Sequence, residues 1–596
     1  MQKPVVLLIA ALSSASAFAQ TVQSVQCDVV IAGGSTAALA AALTSARDGA
    51  FTCLLEPFNQ AGGQLLNTPA IDHAWHTADR PTASHQLVKS GDVDKIYENQ
   101  PPILRDWLRE LGGSGRNCWV AGFDDCFLPL NSSFNQASDK NLLRDFITPA
   151  LANTPNLRVI YNTVVRRTNT TVTSAAGQPI TRKITSIVAT QRSARAITLM
   201  DGFDVPLSSD IADWYNPSNS ARWNKSVLTI TGRVRGLLVI DASEFGDVLA
   251  TSGSSYLMGT ETGNNEASLS TNEACGQAIV FPFFMKYKGT SGTASENAPN
   301  WAAPFPNHYS FDRNSQGTSF TWSQIWAYRR VYNPAASVIV GGGNFTTEYK
   351  VADLANNISL QNWTTGNDYP YRTLFKSKAA SQAENSQGWA GGLDLVALAE
   401  SEKHAIGWYY WMKSRTPASS AGRITIGTEI TGTFSGLTRF PYLRATRRSV
   451  GLGNFKLTSA DFNPETIASK TGKVFADRVA LANYPLDIHP IKSTACNGAA
   501  GTPAVVHPYP YYIPFRALTN VTTENLLVAG KTIAQSFWAS TSTRLQPEEF
   551  AIGQAAGAAA GWMSRNNVNT TQAALNRISE VQLNTVKYTP NVWKFN

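Results

Sequence analysis

A run of small residues, Gly33-Gly34-Ser35-Thr36-Ala37-Ala38, joins an apolar stretch, Val29 to Ala32, to a helix-forming one, Thr36 to Arg47. Such a turn lets backbone approach a phosphate, and the free N–H groups and dipole at the helix start favour negative charge. A second apolar run, Phe51 to Leu55, ends in Glu56, 23 residues beyond Gly33. An acid at about that offset accepts the hydroxyls of a ribose. The spacing predicts a strand–turn–helix–strand unit for a dinucleotide, with Gly49 closing the helix. The usual Gly-x-Gly-x-x-Gly pattern reads here as Gly33-x-Ser35-x-x-Ala38, with the smallest replacements available.

Further residues could do chemistry beside such a cofactor. Gly62 and Gly63, in AGGQLLNTP, suit a backbone passing close to a flat ring system, and His73 and His76 follow within a few residues. The run HPYPYYIPFR carries His507, Tyr509, Tyr511, Tyr512 and Arg516. His507 there is a candidate base, histidine being the usual proton acceptor near neutral pH; the alternative is a proline-stiffened strand whose tyrosines merely pack. Arg444, Arg447 and Arg448 in PYLRATRRSVG either grip a substrate carboxylate or carbonyl or form an ion-pair cluster. Trp363, Asn367 and Asp368 are further substrate-side candidates, whereas His489 reads as a structural hydrogen-bonding residue. The histidines and cysteines have no metal-ligand spacing, so no metal is expected.

The elements that position these residues need a large chain. The 596 residues are 43% hydrophobic and only 15% charged, which excludes disorder and a small disulfide scaffold. The net charge of +8 is spread thinly, without the basic run expected of a nucleic-acid binder. Lys3, the apolar run Val5 to Leu12 and Ala17-Phe18-Ala19 read as a secretory signal at 1–19, with the mature chain starting at Gln20. No later segment reaches the ~18 apolar residues that span a bilayer. In an oxidising compartment, Cys118 and Cys126 are the expected disulfide, and Cys27 and Cys53 read as small buried residues. NLRVIYNTVVRRT and VLTITGRVRGLLVIDASEFGD read as β-structure, NLLVAGK as a short buried strand, and FAIGQAAGAAAGWM as a helix opening near Pro547. Its Gly553, Ala556, Gly557 and Ala560 predict close helix packing.

Taken in order from Asp28 to Met563, GGSTAALAAAL, LLEPFNQAGGQL, VIDASEFGDVLATSG, NWTTGNDY, PYLRATRRSVG, YPLDIHP, YYIPFRAL, NLLVAGK and AIGQAAGAAAG resemble the FAD-dependent oxidoreductase family of two-dinucleotide-fold flavoproteins. Exported members often carry the label "xanthan lyase". The resemblance implies an α/β fold: an FAD-binding, Rossmann-like domain of the glutathione-reductase type, interleaved with an α+β substrate domain. The cofactor domain is then expected at 20–85, 145–270 with a β-meander, and 500–580. A cap segment would occupy 86–144, the substrate domain 271–499 and a tail 581–596. By resemblance the cofactor is FAD, held by Gly33, Gly34, Ser35, Thr36, Ala37, Ala38, Glu56, Gly62, Gly63, Gln64, Val164, Asp241, Gly530 and Gln554. His507, Tyr511, Arg516, Arg444 and His73 are the candidates for catalysis. The implied activity is hydride transfer from a small organic substrate to flavin in an exported oxidase or dehydrogenase, with an electron acceptor, oxygen among the candidates. The alternatives are a flavin monooxygenase, a polysaccharide lyase and a flavin-binding protein without turnover.

Overall fold

The computed structural model describes residues 21–67, 99–112, 143–287, 309–312, 319–328, 330–332, 358–385, 388–417, 423–463, 471–496 and 508–594. His73, His76, Cys118, Cys126, His507 and the 1–19 segment lie outside the described residues. Along the chain, β1 (Thr21–Cys27) and β2 (Val29–Ala32) precede α1 (Thr36–Arg47) and β3 (Thr52–Leu55). Next come β4 (Leu157–Ile160), β5 (Thr163–Val172), β6 (Arg182–Ala194), α2 (Leu207–Tyr215), β7 (Trp223–Gly232) and β8 (Leu238–Asp241). Helix α3 (Leu395–Ser414), β9 (Leu526–Val528) and α4 (Gln546–Arg565) complete the elements that matter for the site.

Five strands pair in the order β9-β8-β2-β3-β4, all parallel. Every residue of β2, β3, β8 and β9 is buried. That is the signature of a sheet covered on both faces, and it explains why these strands are continuous apolar runs. The chain's early strand β2 lies in the middle, so the β2–α1 turn sits at the carboxyl end of the sheet, where such folds bind dinucleotides. A second sheet, β1-β7-β6-β5, carries the meander, with β1 parallel to β7 and the other pairs antiparallel. A third, antiparallel sheet from the 271–499 region orders Arg330–Tyr332, Ile358–Gln361, Phe283–Tyr287 and Ile424–Ile426. Glu402 of α3 accepts the Leu207 amide at 2.7 Å and so ties this region to the start of α2.

One expected β-run is divided. NLRVIYNTVVRRT contains two strands, β4 in the parallel sheet and β5 in the meander, separated at Asn162 with φ 54°. Asparagine tolerates the left-handed region, so the turn forms without a glycine to announce it.

Helices α1 and α4 approach backbone to backbone. A Cβ on Gly553 would lie 2.2 Å from the Ala37 carbonyl oxygen, and one on Gly557 would lie 2.4 Å from that of Ala41. Alanines on α1 and glycines on α4 therefore act as one fitted surface. The cysteines depart from expectation: Cys27 and Cys53, read as plain buried residues, form a disulfide with Cα atoms 6.0 Å apart. Cys27 ends β1, the chain passes through Asp28 directly into β2, and Val30 of β2 pairs with Cys53, so the β1–β2 junction brings the thiols into range. Cys275 and Cys496 form a second bridge.

Two outcomes follow for stability. Gly553→Ala is expected to destabilise the protein by about 1–3 kcal/mol, because the added methyl has no space between two backbones; a thermal or urea melt measures it. Reduction of the unfolded-state crosslinks is expected to cost about 3 kcal/mol or more, since the Cys275–Cys496 bridge closes a separation of 221 residues. A melting temperature unchanged by reductant would remove the bridges from the stability argument.

Candidate functional site

The β2–α1 turn is built by backbone contacts that only small residues allow. Gly33 donates its amide to the Leu55 carbonyl at 2.9 Å, and a Cβ there would lie 2.5 Å from that same oxygen. Ser35 has extended φ of −113°, so glycine is not required at this position. Its hydroxyl accepts from the Ala38 amide at 3.1 Å and donates to the Ala242 carbonyl at 2.6 Å. Serine thus caps α1 and fastens the turn to the end of β8, which glycine could not do.

Three further segments close on the start of α1. The Thr36 hydroxyl donates to the Gly62 carbonyl at 3.2 Å, and a Cβ on Gly63 would sit 2.5 Å from Ser35 and Thr36 backbone atoms. Gly530, at φ 70°, places its hydrogen where a Cβ would be 3.0 Å from the Ala37 side chain. Gly553 of α4 abuts Ala37 from another side. Gly33, Gly34, Ser35, Thr36, Ala37, Ala38, Gly62, Gly63 and Gly530 therefore meet around one helix N-terminus.

Around this cradle are buried polar atoms with no hydrogen-bond partner among the described residues: Glu56 Oε2, Gln64 Oε1, and both amide atoms of Gln546 and of Gln554. All four side chains are essentially inaccessible. Unpaired buried groups are costly, and their clustering on a glycine-lined cradle fits a polar ligand that satisfies them. Glu56 accepts only weakly from its own chain, at 3.3 Å from the Phe58 amide. Burial pushes its carboxyl well above the ordinary range, against the amides of Phe58 and Gly34 and the charge of Arg192. A ribose diol donating to Glu56 would reverse that. The adjoining cavity is lined by Gly33, Gly34, Pro57, Val164, Trp214 and Asp247, among others. Asp241 faces inward instead. Its carboxylate accepts from the Ser243 hydroxyl at 2.7 Å, the Ser243 amide at 3.1 Å and the Leu249 amide at 2.8 Å, fixing the loop after β8.

A hydrogen-bonded chain runs from the cradle into a buried charged cluster. Gln64 donates to the Arg544 carbonyl at 3.1 Å and to Glu549 at 3.0 Å. Arg544, just ahead of α4, bonds the Tyr442 hydroxyl and reaches Asp487 at 2.9 Å. Asp487 lies 3.1 Å from His489 Nε2, and His489 Nδ1 lies 2.5 Å from Asp368. Asp368 in turn pairs with Arg444 at 2.9 Å. Burial and Arg444 oppose protonation of His489, but Asp487 and Asp368 outweigh them and its pKa is raised. Sequence reading did not bring out Arg544 or Asp487 and treated His489 as structural. The signal available was TSTRLQPEE, where an arginine precedes a helix start.

The other sequence candidates lie in several places. Arg444 is buried and paired, so its charge is directed at Asp368 rather than into open space. Arg447 bonds the Phe245 and Gly391 carbonyls, and Arg448 pairs with Glu261 at 3.2 Å. Tyr511 is fully buried, stacked on Phe462, with its hydroxyl 2.7 Å from Ser542. Arg516 is partly exposed and paired with Asp477 at 3.0 Å. Trp363 and Asn367 form a local turn through a 2.8 Å bond from the Trp363 amide.

A parallel sheet, a glycine cradle at the first helix and an acid at the end of the next strand define a dinucleotide-binding α/β protein. The model of the family of FAD dependent oxidoreductases matches residues 28–201 and 219–583, and the chain belongs to that family. It is an FAD-dependent oxidoreductase, with FAD as cofactor. No curated protein matches the chain. Among solved structures, an E. coli quinol fumarate reductase FrdA variant is 11% identical, over 94% of this chain and 74% of that one, with a TM-score of 0.28. OxyS anhydrotetracycline hydroxylase from Streptomyces rimosus is 9% identical, over 95% and 70% respectively, with a TM-score of 0.29. L-proline dehydrogenase from P. horikoshii is 12% identical, over 38% and 24%, with a TM-score of 0.15.

Glu56→Gln is expected to weaken FAD binding by about tenfold or more, the range of a hydrogen bond to a charged acceptor. In the wild type, FAD binding should release a proton from the raised Glu56 carboxyl, so affinity should fall as pH is lowered. Fluorescence titration of apoprotein with FAD at several pH values measures both effects. An equal pH slope in Glu56→Gln would place the ribose contact elsewhere.

Proposed function

We propose that this chain is an exported oxidase or dehydrogenase of small organic molecules, with its reaction centre beside the Arg544–Asp487–His489–Asp368–Arg444 cluster. FAD, when bound, would supply the redox chemistry, that of a hydride acceptor. By position, Gly33 to Ala38, Gly62 to Gln64 and Gly530 would hold its diphosphate, Glu56 its ribose, and Gln546 and Gln554 its remaining polar edges. Export is supported by the two disulfides.

The observation that carries the reaction-centre reading is the placement of His489 between two carboxylates. Ionised carboxylates only accept hydrogen bonds, so a ring facing one on each nitrogen is held as imidazolium. With Arg444 and Arg544 the cluster then carries three positive and two negative charges. One net positive charge in a largely buried site favours an anionic oxygen on substrate or product. Side-chain exposure rises along the series, 1% at Asp368, 12% at His489 and 43% at Asp487, which provides a route for a proton between the interior and water. We therefore assign His489 to relaying the proton that accompanies hydride loss: the imidazolium passes its Nε2 proton through Asp487 to water, and the ring nitrogen so freed accepts the proton that the substrate gives up. His507, outside the described residues, is the competing candidate.

His489→Asn is expected to keep its FAD spectrum while slowing anaerobic bleaching by substrate about 10²–10⁴-fold. Screening alcohols, amines, amino acids and phenols for bleaching supplies that substrate. A second readout needs none. The raised pKa of His489 gives stability that is complete below its ordinary 6.5 and lost as pH rises through the folded-state value. The melting temperature of His489→Asn should lack that pH-dependent loss. A variant that bleaches as fast as wild type at every pH would move the proton-handling role to another residue.

A further inference from the structure

One short stretch, Gln277 to Val280, runs through the buried charged cluster and holds three of its members. Val280 pairs with Asp368, and Ile279 with Tyr369, in a short antiparallel ladder. The Ala278 amide donates to the His489 carbonyl, and the Ala278 carbonyl accepts from Arg444 Nη1 at 3.1 Å. Just before the stretch, the Gly276 carbonyl accepts from the Ile491 amide at 3.2 Å, and the Cys275–Cys496 bridge ties the two flanking segments together. Asp368, Arg444 and His489 come from distant parts of the chain, and all are set against this one rail.

Gln277 supplies the side chain of that rail. It is 4% exposed, and both ends of its amide are used. Its Nε2 donates to the Arg444 carbonyl at 2.9 Å, and its Oε1 accepts from the His489 amide at 3.3 Å. The first bond requires a donor and the second an acceptor, and a carboxamide offers both on one planar group. The two backbones so joined send their side chains to a single carboxylate. Arg444 Nη2 lies 2.9 Å from Asp368 Oδ1, and His489 Nδ1 lies 2.5 Å from Asp368 Oδ2. Sharing of that kind depends on spacing, because hydrogen bonds hold over a narrow range of length and angle.

The charged groups around His489 are Asp368 and Asp487 at its two nitrogens, Arg444 across Asp368, and Arg544 across Asp487. Thr364 adds a hydroxyl 3.5 Å from Nδ1. Gln277 is uncharged, so it acts on the protonation of His489 through where these groups stand. We propose that Gln277 is a positioning residue of this site, whose amide sets the Arg444 and His489 backbones at the spacing that lets both side chains share Asp368. Its effect on turnover rests on the assignment of His489 as the proton relay; its effect on the protonation of His489 does not.

The test is a pH titration of the FAD-loaded protein, isotope-labelled in the histidine rings and followed by NMR, with the His489 signal assigned by its loss in His489→Asn. Gln277→Leu keeps much of the volume and removes both bonds. Its His489 midpoint is expected to fall below the wild-type value by about half a pH unit or more, because a loosened Asp368 supports the imidazolium less. Anaerobic bleaching by substrate should slow about tenfold or more, with FAD absorbance retained. Because leucine strands the Arg444 carbonyl and the His489 amide and can cost the fold, a second variant is needed. Gln277→Asn keeps the amide but is one methylene short of spanning both bonds, and its midpoint should move the same way. An unchanged midpoint in both variants would overturn the proposal, and so would failure of both to fold and hold FAD, which would make Gln277 a residue of the general scaffold. A midpoint that moves while bleaching stays at the wild-type rate, in a protein where His489→Asn is slow, would sink it equally. If His489→Asn itself bleaches as fast as wild type while the midpoint still moves in the Gln277 variants, the relay reading fails and the positioning role stands.

Discussion

The approach of α4 to α1, backbone against backbone, governs what the rest of the structure can do. Gly553 and Gly557 lie against the backbone of Ala37 and Ala41 with no room for a single methyl group. That contact fixes where the start of α1 stands relative to the start of α4, two elements separated by some five hundred residues of chain. Gly63 and Gly530 then seat against the same helix end. Gly63, Gly553 and Gly557 are there because another backbone occupies the volume a side chain would need, and Gly530 because its φ of 70° lies in the left-handed region. A pyrophosphate site assembled this way needs no dedicated charged side chain, because the amides of α1 and the dipole of the helix serve as the positive partner.

The charged residues are organised on a different principle. Lys531 lies between Glu244 and Glu549, at 2.8 and 2.6 Å, and Arg448 meets Glu261. Burial pushes Glu549 up to about 7 against the pull of Lys531. Pairs like these contribute little net stability, because desolvation offsets most of the Coulomb attraction, yet removing one partner strands the other. They fix geometry. The cluster from Arg544 to Arg444 has the same character with one difference: a histidine stands in the middle, and one end reaches solvent. On that difference rests the proposal that this cluster moves a proton.

Much of the cofactor half was legible in the chain itself. Val29–Ala32, Thr36–Arg47 and Leu526–Val528 fall where their apolar runs and small-residue patterns put them, because local sequence and burial agree there. Legibility fails where the deciding partner is distant. Asn162 divides a run that alternates like one strand, since the two halves join different sheets. Cys27 and Cys53 look like ordinary buried residues until the passage of the chain from β1 into β2 sets them side by side. Ser35 looks like a lost glycine, but its hydroxyl ties the turn to Ala242, 207 residues away.

By itself the sequence determined the nucleotide-binding end. Its features are local: a turn, a helix start and an acid one strand further on, all within thirty residues and governed by backbone sterics and hydrogen bonding. Only the tertiary structure decided which polar side chains act together. Asp368, Arg444, Asp487, His489 and Arg544 come from four separate stretches of chain, and nothing in the spacing of any one of them predicts the others. Electrostatic partnership depends on distance and burial, and both are set by long-range packing rather than by neighbours in sequence.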